Sequence, residues 1–244
     1  MRIRLDVVDE KVNLAPMEGV YDKACEESAE AVRNNDSDSA LKILEKAIKK
    51  IIEAKAGSPW EAADLYVKCA RIYSDKKESD LELAALTKAV ELRGFDWDYQ
   101  KRAYVYERRG DYDSAIADYT KAIENEESPE SYYWRGEVFF KKNDYDSAIA
   151  DFLKSVECCS SWYIPQGFMA KFRWFFSKWG FRANVRRIFS RKEACKGCLE
   201  SYYMCGLAYR KKGDWESAVK YLNKALKLKP DFEKARELRG EILG

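Results

Sequence analysis

The chain has 244 residues, 46% of them hydrophobic and 35% charged, with a formal net charge of +2. That balance is ordinary for a folded soluble protein and argues against a polyanion binder by bulk electrostatics. There is no histidine, which removes the commonest general base, the commonest zinc ligand and the usual partner of a nucleophilic Ser or Cys, and turns the reading away from an enzyme.

In chain order, residues 1–17 fit no later pattern and read as an N-terminal arm, extended or disordered at the end. Charges are scattered through it and it holds no apolar core of signal-peptide length. No window of the chain reaches the roughly 18 apolar residues a membrane-spanning helix needs. A cytoplasmic location is the expectation, and seven cysteines, an odd number, do not suggest a secreted disulfide framework.

Residues 18–95 read as two degenerate helical hairpins. The first carries NDSDSALKILEKAI from Asn35; the second has Tyr66, Cys69, Ala70 and Tyr73 on one helix and Ala85, Leu86 and Ala89 on the next. Residues 96–159 hold two well-matched hairpins, with GDYDSAIADYTKAI from Gly110 and NDYDSAIADFLKSV from Asn143. Residues 160–197 are basic and aromatic-rich and read either as an insertion or as a diverged hairpin. A further well-matched hairpin, 198–230, contains GDWESAVKYLNKAL from Gly213. The last stretch, 231–244, reads as a capping helix with Phe232, Ala235, Leu238 and Ile242 on one side and charges on the other.

The four recurrent segments align without gaps. Each opens with Gly or Asn, which tolerate the left-handed conformation a tight helix-to-helix turn demands. Asp follows, an N-cap acceptor for the next helix. Small and apolar residues then recur at helical spacing, as with Ala115, Tyr119, Ala122 and Ile123, so that neighbouring helices approach closely. Upstream of three copies, large–small–large trios mark a partner helix: Tyr99, Ala103 and Tyr106; Tyr132, Gly136 and Phe139; Tyr202, Gly206 and Tyr209.

These residues resemble the tetratricopeptide repeat family, including Pro230, which closes the last copy where the family often has proline. The 33 residues from Gly110 to Asn143 suit its repeat of about 34. The resemblance implies an all-α fold, a right-handed superhelical solenoid of stacked helix-turn-helix hairpins with a C-terminal capping helix. It also implies a non-catalytic scaffold or adaptor that takes a peptide or helix of a partner in a concave groove lined by the first helix of each hairpin. By alignment the groove residues are Gln100, Tyr104, Glu107 and Arg108; Tyr133, Glu137, Phe140 and Lys141; Tyr203, Leu207, Arg210 and Lys211; and, if 160–197 is a repeat, Trp174 and Lys178. Aromatic anchors beside Arg and Lys suit an interface, although the tyrosines equally suit packing against neighbouring helices. One branch of the family clamps chaperone C-termini with Lys and Asn. Gln100, Tyr104, Trp134 and Met204 stand at the corresponding positions here, so chaperone-tail binding is not expected.

Residues 158–192 contain eight Lys or Arg and no Asp or Glu. The basic patch comprises Lys171, Arg173, Lys178, Arg182, Arg186, Arg187, Arg191 and Lys192. Its aromatic stripe suits a diverged hairpin, and the basic amphipathic stretch 168–192 also suits an acidic element of a partner or an anionic membrane surface, which would make the chain a peripheral adaptor. Single-stranded nucleic acid fits the interleaved rings but lacks wider positive charge, so it is not the expected partner. No cofactor is expected: the chain has neither a phosphate-cradling glycine loop nor a catalytic constellation. No metal is expected either. Cys158, Cys159, Cys195 and Cys198 form a tetrahedral zinc set only if the residues between the pairs loop out. Cys25, Cys69 and Cys205 fall where small core residues are wanted.

Overall fold

A computed structural model describes residues 19–53, 58–161 and 196–244. Among the described residues there are eleven helices and no strand. The expected N-terminal arm, the whole basic patch, Trp174 and Cys195 lie outside the described residues. The chain divides into two compact units, Met1–Val105 and Tyr106–Gly244.

The first unit contains α1 (Val20–Arg33), α2 (Ser37–Glu53), α3 (Pro59–Asp75), α4 (Ser79–Leu92) and most of α5 (Asp96–Arg108). Consecutive helices pack against each other from α1 to α4. Their shared core includes Ala40, Leu44, Ala47, Leu65, Cys69, Ala70 and Leu86. Fully burying a Leu or Ile contributes about 1.5–3 kcal/mol, so Leu44 and Leu65, both without solvent exposure, are major contributors to this core. Tyr66 and Tyr73 pack on it partly buried, while Cys25 is half-buried at its margin. Across the top of the unit, the Tyr21 hydroxyl donates to Asp64 at 2.7 Å, tying α1 to α3.

Every turn inside a hairpin is built alike. After α1, Asn35 takes φ 61°. Its N–H donates to Val32 O, and the N–H of Asp36 donates to Ala31 O, which satisfies the carbonyls that end the helix. The same Asp36 then accepts from Ser39 N at 2.9 Å and so caps α2. One residue thus closes one helix and opens the next. Between α3 and α4 the backbone geometry is identical, but Lys77 holds the left-handed position at φ 61° and Glu78 makes no side-chain cap. An L-residue with a Cβ pays about 1 kcal/mol there.

The second unit contains the end of α5, then α6 (Tyr112–Asn125), α7 (Pro129–Lys141), α8 (Tyr145–Ser161), α9 (Lys196–Lys212), α10 (Trp215–Leu228) and α11 (Glu233–Leu243). Its turns at Gly110, Asn143 and Gly213 repeat the positive φ, and Asp111, Asp144 and Asp214 accept from the N–H of Ser114, Ser147 and Ser217. Ser128 caps α7 and Pro129 occupies its first turn, where a missing N–H costs nothing. Consecutive helices from α6 to α11 pack in sequence. Gly136 and Gly206 permit the closest approaches. A Cβ at Gly136 would lie 2.9 Å from the Phe152 ring, and one at Gly206 would lie 2.8 Å from Leu222 Cγ.

One hairpin is also pinned by charge. Arg135 Nε and Nη2 donate to both carboxylate oxygens of Asp151, at 2.7 and 2.8 Å, and Arg135 Nη1 donates to Thr120 at 3.0 Å. In the last hairpin the aligned positions are Cys205 and Tyr221. Cys205 is buried, and Tyr221 stacks on Tyr209 with ring centroids 5.3 Å apart. Apolar packing there replaces the ion pair. At the hairpin turns, Lys142 pairs with Asp113 and Lys212 with Asp146, exposed links from each turn to the preceding hairpin.

The helices α8 and α9 are direct neighbours in the stack. Ser201 Oγ bonds to Ser155 Oγ at 3.1 Å in a buried position, and Phe152 and Cys205 share one core cluster. The residues expected as an insertion or a diverged hairpin fall between them in sequence, and 162–195 lie outside the described residues. At the C-terminus, Ala235 and Leu238 of α11 bury against Leu222 and Ala225, with Phe232 and Ile242 packed beside them.

Candidate partner-binding face

In the second unit, the face proposed for contact is carried by α7 and α9, the first helices of two successive hairpins. On α7, Tyr133, Glu137 and Phe140 are half-buried and Lys141 is exposed. On α9, Tyr203, Leu207 and Arg210 are half-buried and Lys211 is exposed. Tyr133, Phe140 and Met204 pack around one core cluster, and Tyr203 and Leu207 around the next. The rings are fixed by their neighbours. Tyr133 meets Trp134 edge-on at 5.1 Å and Phe152 at 5.8 Å, Phe140 meets Tyr145 at 5.4 Å, and Tyr203 meets Phe232 at 5.4 Å. Each tyrosine thus packs against its neighbours and stays partly accessible.

Charge on this face is mixed, with Glu137 and Glu200 beside Lys141, Arg210 and Lys211. The Tyr133 hydroxyl donates to Glu137 at 3.0 Å. Burial, then the Glu137 charge, pushes the Tyr133 hydroxyl far above its ordinary pKa. Burial likewise holds the Glu137 carboxyl above the usual carboxylate range, partly countered by the Tyr133 hydrogen bond and Lys141. Glu107, at the end of α5, is buried and takes the Lys141 ammonium. Burial works against the Lys141 charge, but Glu107 and Glu137 outweigh it and raise its pKa. The charge of Glu200, on α9, also helps to raise the pKa values of Tyr133, Glu137 and Tyr203. Arg210 is paired with Glu241 of α11 at 2.8 Å.

The remaining groove positions lie elsewhere. Gln100 and Tyr104 belong to the first unit; Gln100 donates to Asp96 at 3.3 Å and Tyr104 is exposed. Arg108 is exposed at the end of α5. Trp174 and Lys178 fall outside the described residues. Of the four cysteines considered for zinc, Cys158, Cys159 and Cys198 are half-buried and Cys195 is not described. Among the described residues no three metal-binding side chains cluster. Glu200 was not singled out by alignment, although its place three residues before Tyr203 on a helix puts both on one face.

A second exposed feature, also not anticipated, belongs to the first unit. Trp60 and Trp97, 56% and 42% exposed, flank Phe95, with edge-to-face centroid distances of 4.5 and 4.6 Å. The Arg93 guanidinium lies over the rings of Phe95 and Trp97 and is held by the fully buried Asp98 at 2.6 and 2.8 Å.

Helical hairpins packed in sequence, with a left-handed turn inside each and partly accessible aromatic residues on the first helices, define a helical-repeat scaffold. Residues 101–161 and residues 199–232 each match the tetratricopeptide repeat family. Those two stretches are tetratricopeptide repeats. Solved structures of the same fold include MamA, at TM-score 0.61 and 20% identity over 89% of this chain and 96% of that one. YrrB, described as a TPR protein with an unusual peptide-binding site, aligns at TM-score 0.60 and 17% identity over 95% and 98% of the two chains. BtubC from P. vanneervenii aligns at TM-score 0.59 and 12% identity over 97% and 94%. At these identities the likeness is one of fold. A search of the curated proteins returned no match.

Proposed function

We propose that the chain is a non-catalytic adaptor that holds a segment of a partner protein against the first-helix face of its hairpins, with α7 and α9 as the contact in the second unit. The observation that carries this reading is the row of Tyr133, Phe140, Tyr203 and Leu207, apolar bodies kept partly accessible on the first helices of two hairpins. Preordered aromatic rings contribute large contact area at low entropic cost, as interface anchors do. The family and the peptide-binding site named for the YrrB structure support the same reading.

The test is a peptide-display selection on the intact chain, followed by anisotropy titration of the selected peptides. Tyr133→Ala with Tyr203→Ala should weaken binding about 30-fold, the equivalent of about 2 kcal/mol at a hot spot. Unchanged affinity in that variant would move the contact off this face. A second variant carrying Lys171→Glu, Lys178→Glu, Arg182→Glu, Arg186→Glu and Arg187→Glu measures separately whether the basic stretch touches an acidic element of the partner. Loss of affinity in that variant alone would place recognition there.

A further inference from the structure

Where α8 and α9 pack side by side, their buried contacts fix which turns face each other. Phe152 and Cys205 share one core cluster, and Ser155 Oγ meets Ser201 Oγ at 3.1 Å. Moving along α8 from Phe152 to Ser155 moves back along α9 from Cys205 to Ser201, so the two helices run antiparallel. Continuing in the same direction brings two thiols into register. Cys159 stands seven residues after Phe152, and Cys198 seven residues before Cys205. Seven residues make close to two turns at about 3.6 residues per turn, so each cysteine returns to the stripe that faces the other helix. Cys158, one residue earlier, points about 100° away. Burial, then the charge of Glu127 ahead of α7, raises the Cys158 pKa, in keeping with that other direction.

The approach of the helices suits a covalent link. A disulfide needs Cβ atoms about 3.5–4.5 Å apart, and the Ser155–Ser201 contact holds the two backbones close one turn away. Cys159 and Cys198 are both half-buried, within reach of a small oxidant. Cys205, two turns further in, is buried, and desolvation pushes its thiol up to about 12, which keeps it out of thiol exchange.

We propose that Cys159 and Cys198 form a modification site, a thiol pair that closes into an intramolecular disulfide with a low-molecular-weight disulfide such as oxidised glutathione as the oxidant. One thiol gives its proton to water, and its thiolate attacks the glutathione disulfide. A mixed disulfide forms, and one glutathione leaves as a thiolate that takes up a proton. The second cysteine, deprotonated in turn, attacks the mixed disulfide and displaces the other glutathione. Two protein thiols are oxidised and one glutathione disulfide is reduced to two thiols. The bond fastens the last turn of α8 to the first turn of α9. It also closes residues 159–198 into a ring, which restricts the unfolded chain and so stabilises the second unit.

The test incubates the full chain with oxidised glutathione at about pH 8, near the ordinary thiol pKa, alkylates the remaining thiols and maps disulfides by mass spectrometry after trypsin. The peptide of residues 155–171 should be joined to that of residues 197–210, with fragmentation assigning the bond to Cys159 and Cys198. Cys159→Ser and Cys198→Ser should each abolish the link, while Cys158→Ser and Cys195→Ser should retain it. Oxidation should raise the urea midpoint of the second unit, an increase lost on reduction and absent from Cys159→Ser. A bond from Cys198 to Cys195 or Cys158, a dimer linked between chains, or alkylation of both Cys159 and Cys198 in the folded protein overturns the proposal. So does a Cys159–Cys198 bond that forms only in urea, because the register of the folded helices would then play no part. Circular dichroism checks that each serine variant keeps its helices. Cys159→Ala and Cys198→Ala repeat the comparison for any that does not.

Discussion

Replacing Arg135 by Met should destabilise the second unit by about 3–5 kcal/mol, because it strands a carboxylate rather than merely losing a contact. Asp151 has a side chain only 7% exposed and takes two hydrogen bonds from the guanidinium, at 2.7 and 2.8 Å. Thr120 loses its donor as well, a smaller effect of about 1 kcal/mol. Removing both charges with Arg135→Met and Asp151→Leu leaves no charge unpaired, and the last hairpin already runs on such packing at Cys205 and Tyr221. The double variant should therefore recover most of the loss, giving a coupling of about 2–4 kcal/mol in the mutant cycle. Urea denaturation followed by circular dichroism measures it, with hydrogen exchange of α7 and α8 assigning the transition to this unit. Additive single effects, with coupling under about 0.5 kcal/mol, would refute the reasoning. The pair would then be a surface-like contact despite its burial.

Lys77→Gly should stabilise the first unit by about 1 kcal/mol, since Lys77 holds a left-handed conformation at φ 61°, and a raised urea midpoint for that unit would show it. Glu137→Gln should stabilise the second unit at neutral and alkaline pH. The native state keeps the Glu137 proton that the unfolded chain releases, so wild-type stability falls as pH rises from the ordinary Glu value of about 4.3 through the raised native one. The difference between Gln and wild type should vanish below about pH 4, and a less stable Gln variant at pH 8 would contradict the assignment. Cys69 and Cys205 are buried thiols pushed up to about 12 by desolvation, so alkylation near pH 8 should track unfolding, with half-buried Cys25 reacting ahead of both.

Much of the fold is legible because the same local chemistry recurs. Asn35, Gly110, Asn143 and Gly213 all occupy the left-handed turn position, and the Asp after each caps the next helix. The second hairpin hides its turn because Lys and Glu stand where those two residues belong, yet tertiary packing around Leu65 and Leu86 imposes the same geometry. The Arg135–Asp151 pair was open to discovery, since Arg102 and Asp118 recur one repeat earlier. Which charges a neighbour neutralises is not written in a single helix. Alignment places Glu137 and Lys141 side by side as groove residues, but only the packed structure gives Lys141 to the buried Glu107 and leaves Glu137 beside Tyr133. Trp60 and Phe95, 35 residues apart, meet because they stand one repeat apart at the starts of successive first helices, a pairing that local periodicity never registers.

The doubly used turn residue also dictates where such a chain can grow. Inside each hairpin only two or three residues separate the helices, and in all but the second an Asp among them both ends one helix and starts the next. An added residue there would break two caps at once. The joints between hairpins carry no such constraint: three residues suffice before α7, while 34 separate the described ends of α8 and α9, which still pack side by side. Sequence length can therefore accumulate at one joint without altering the register of the stack.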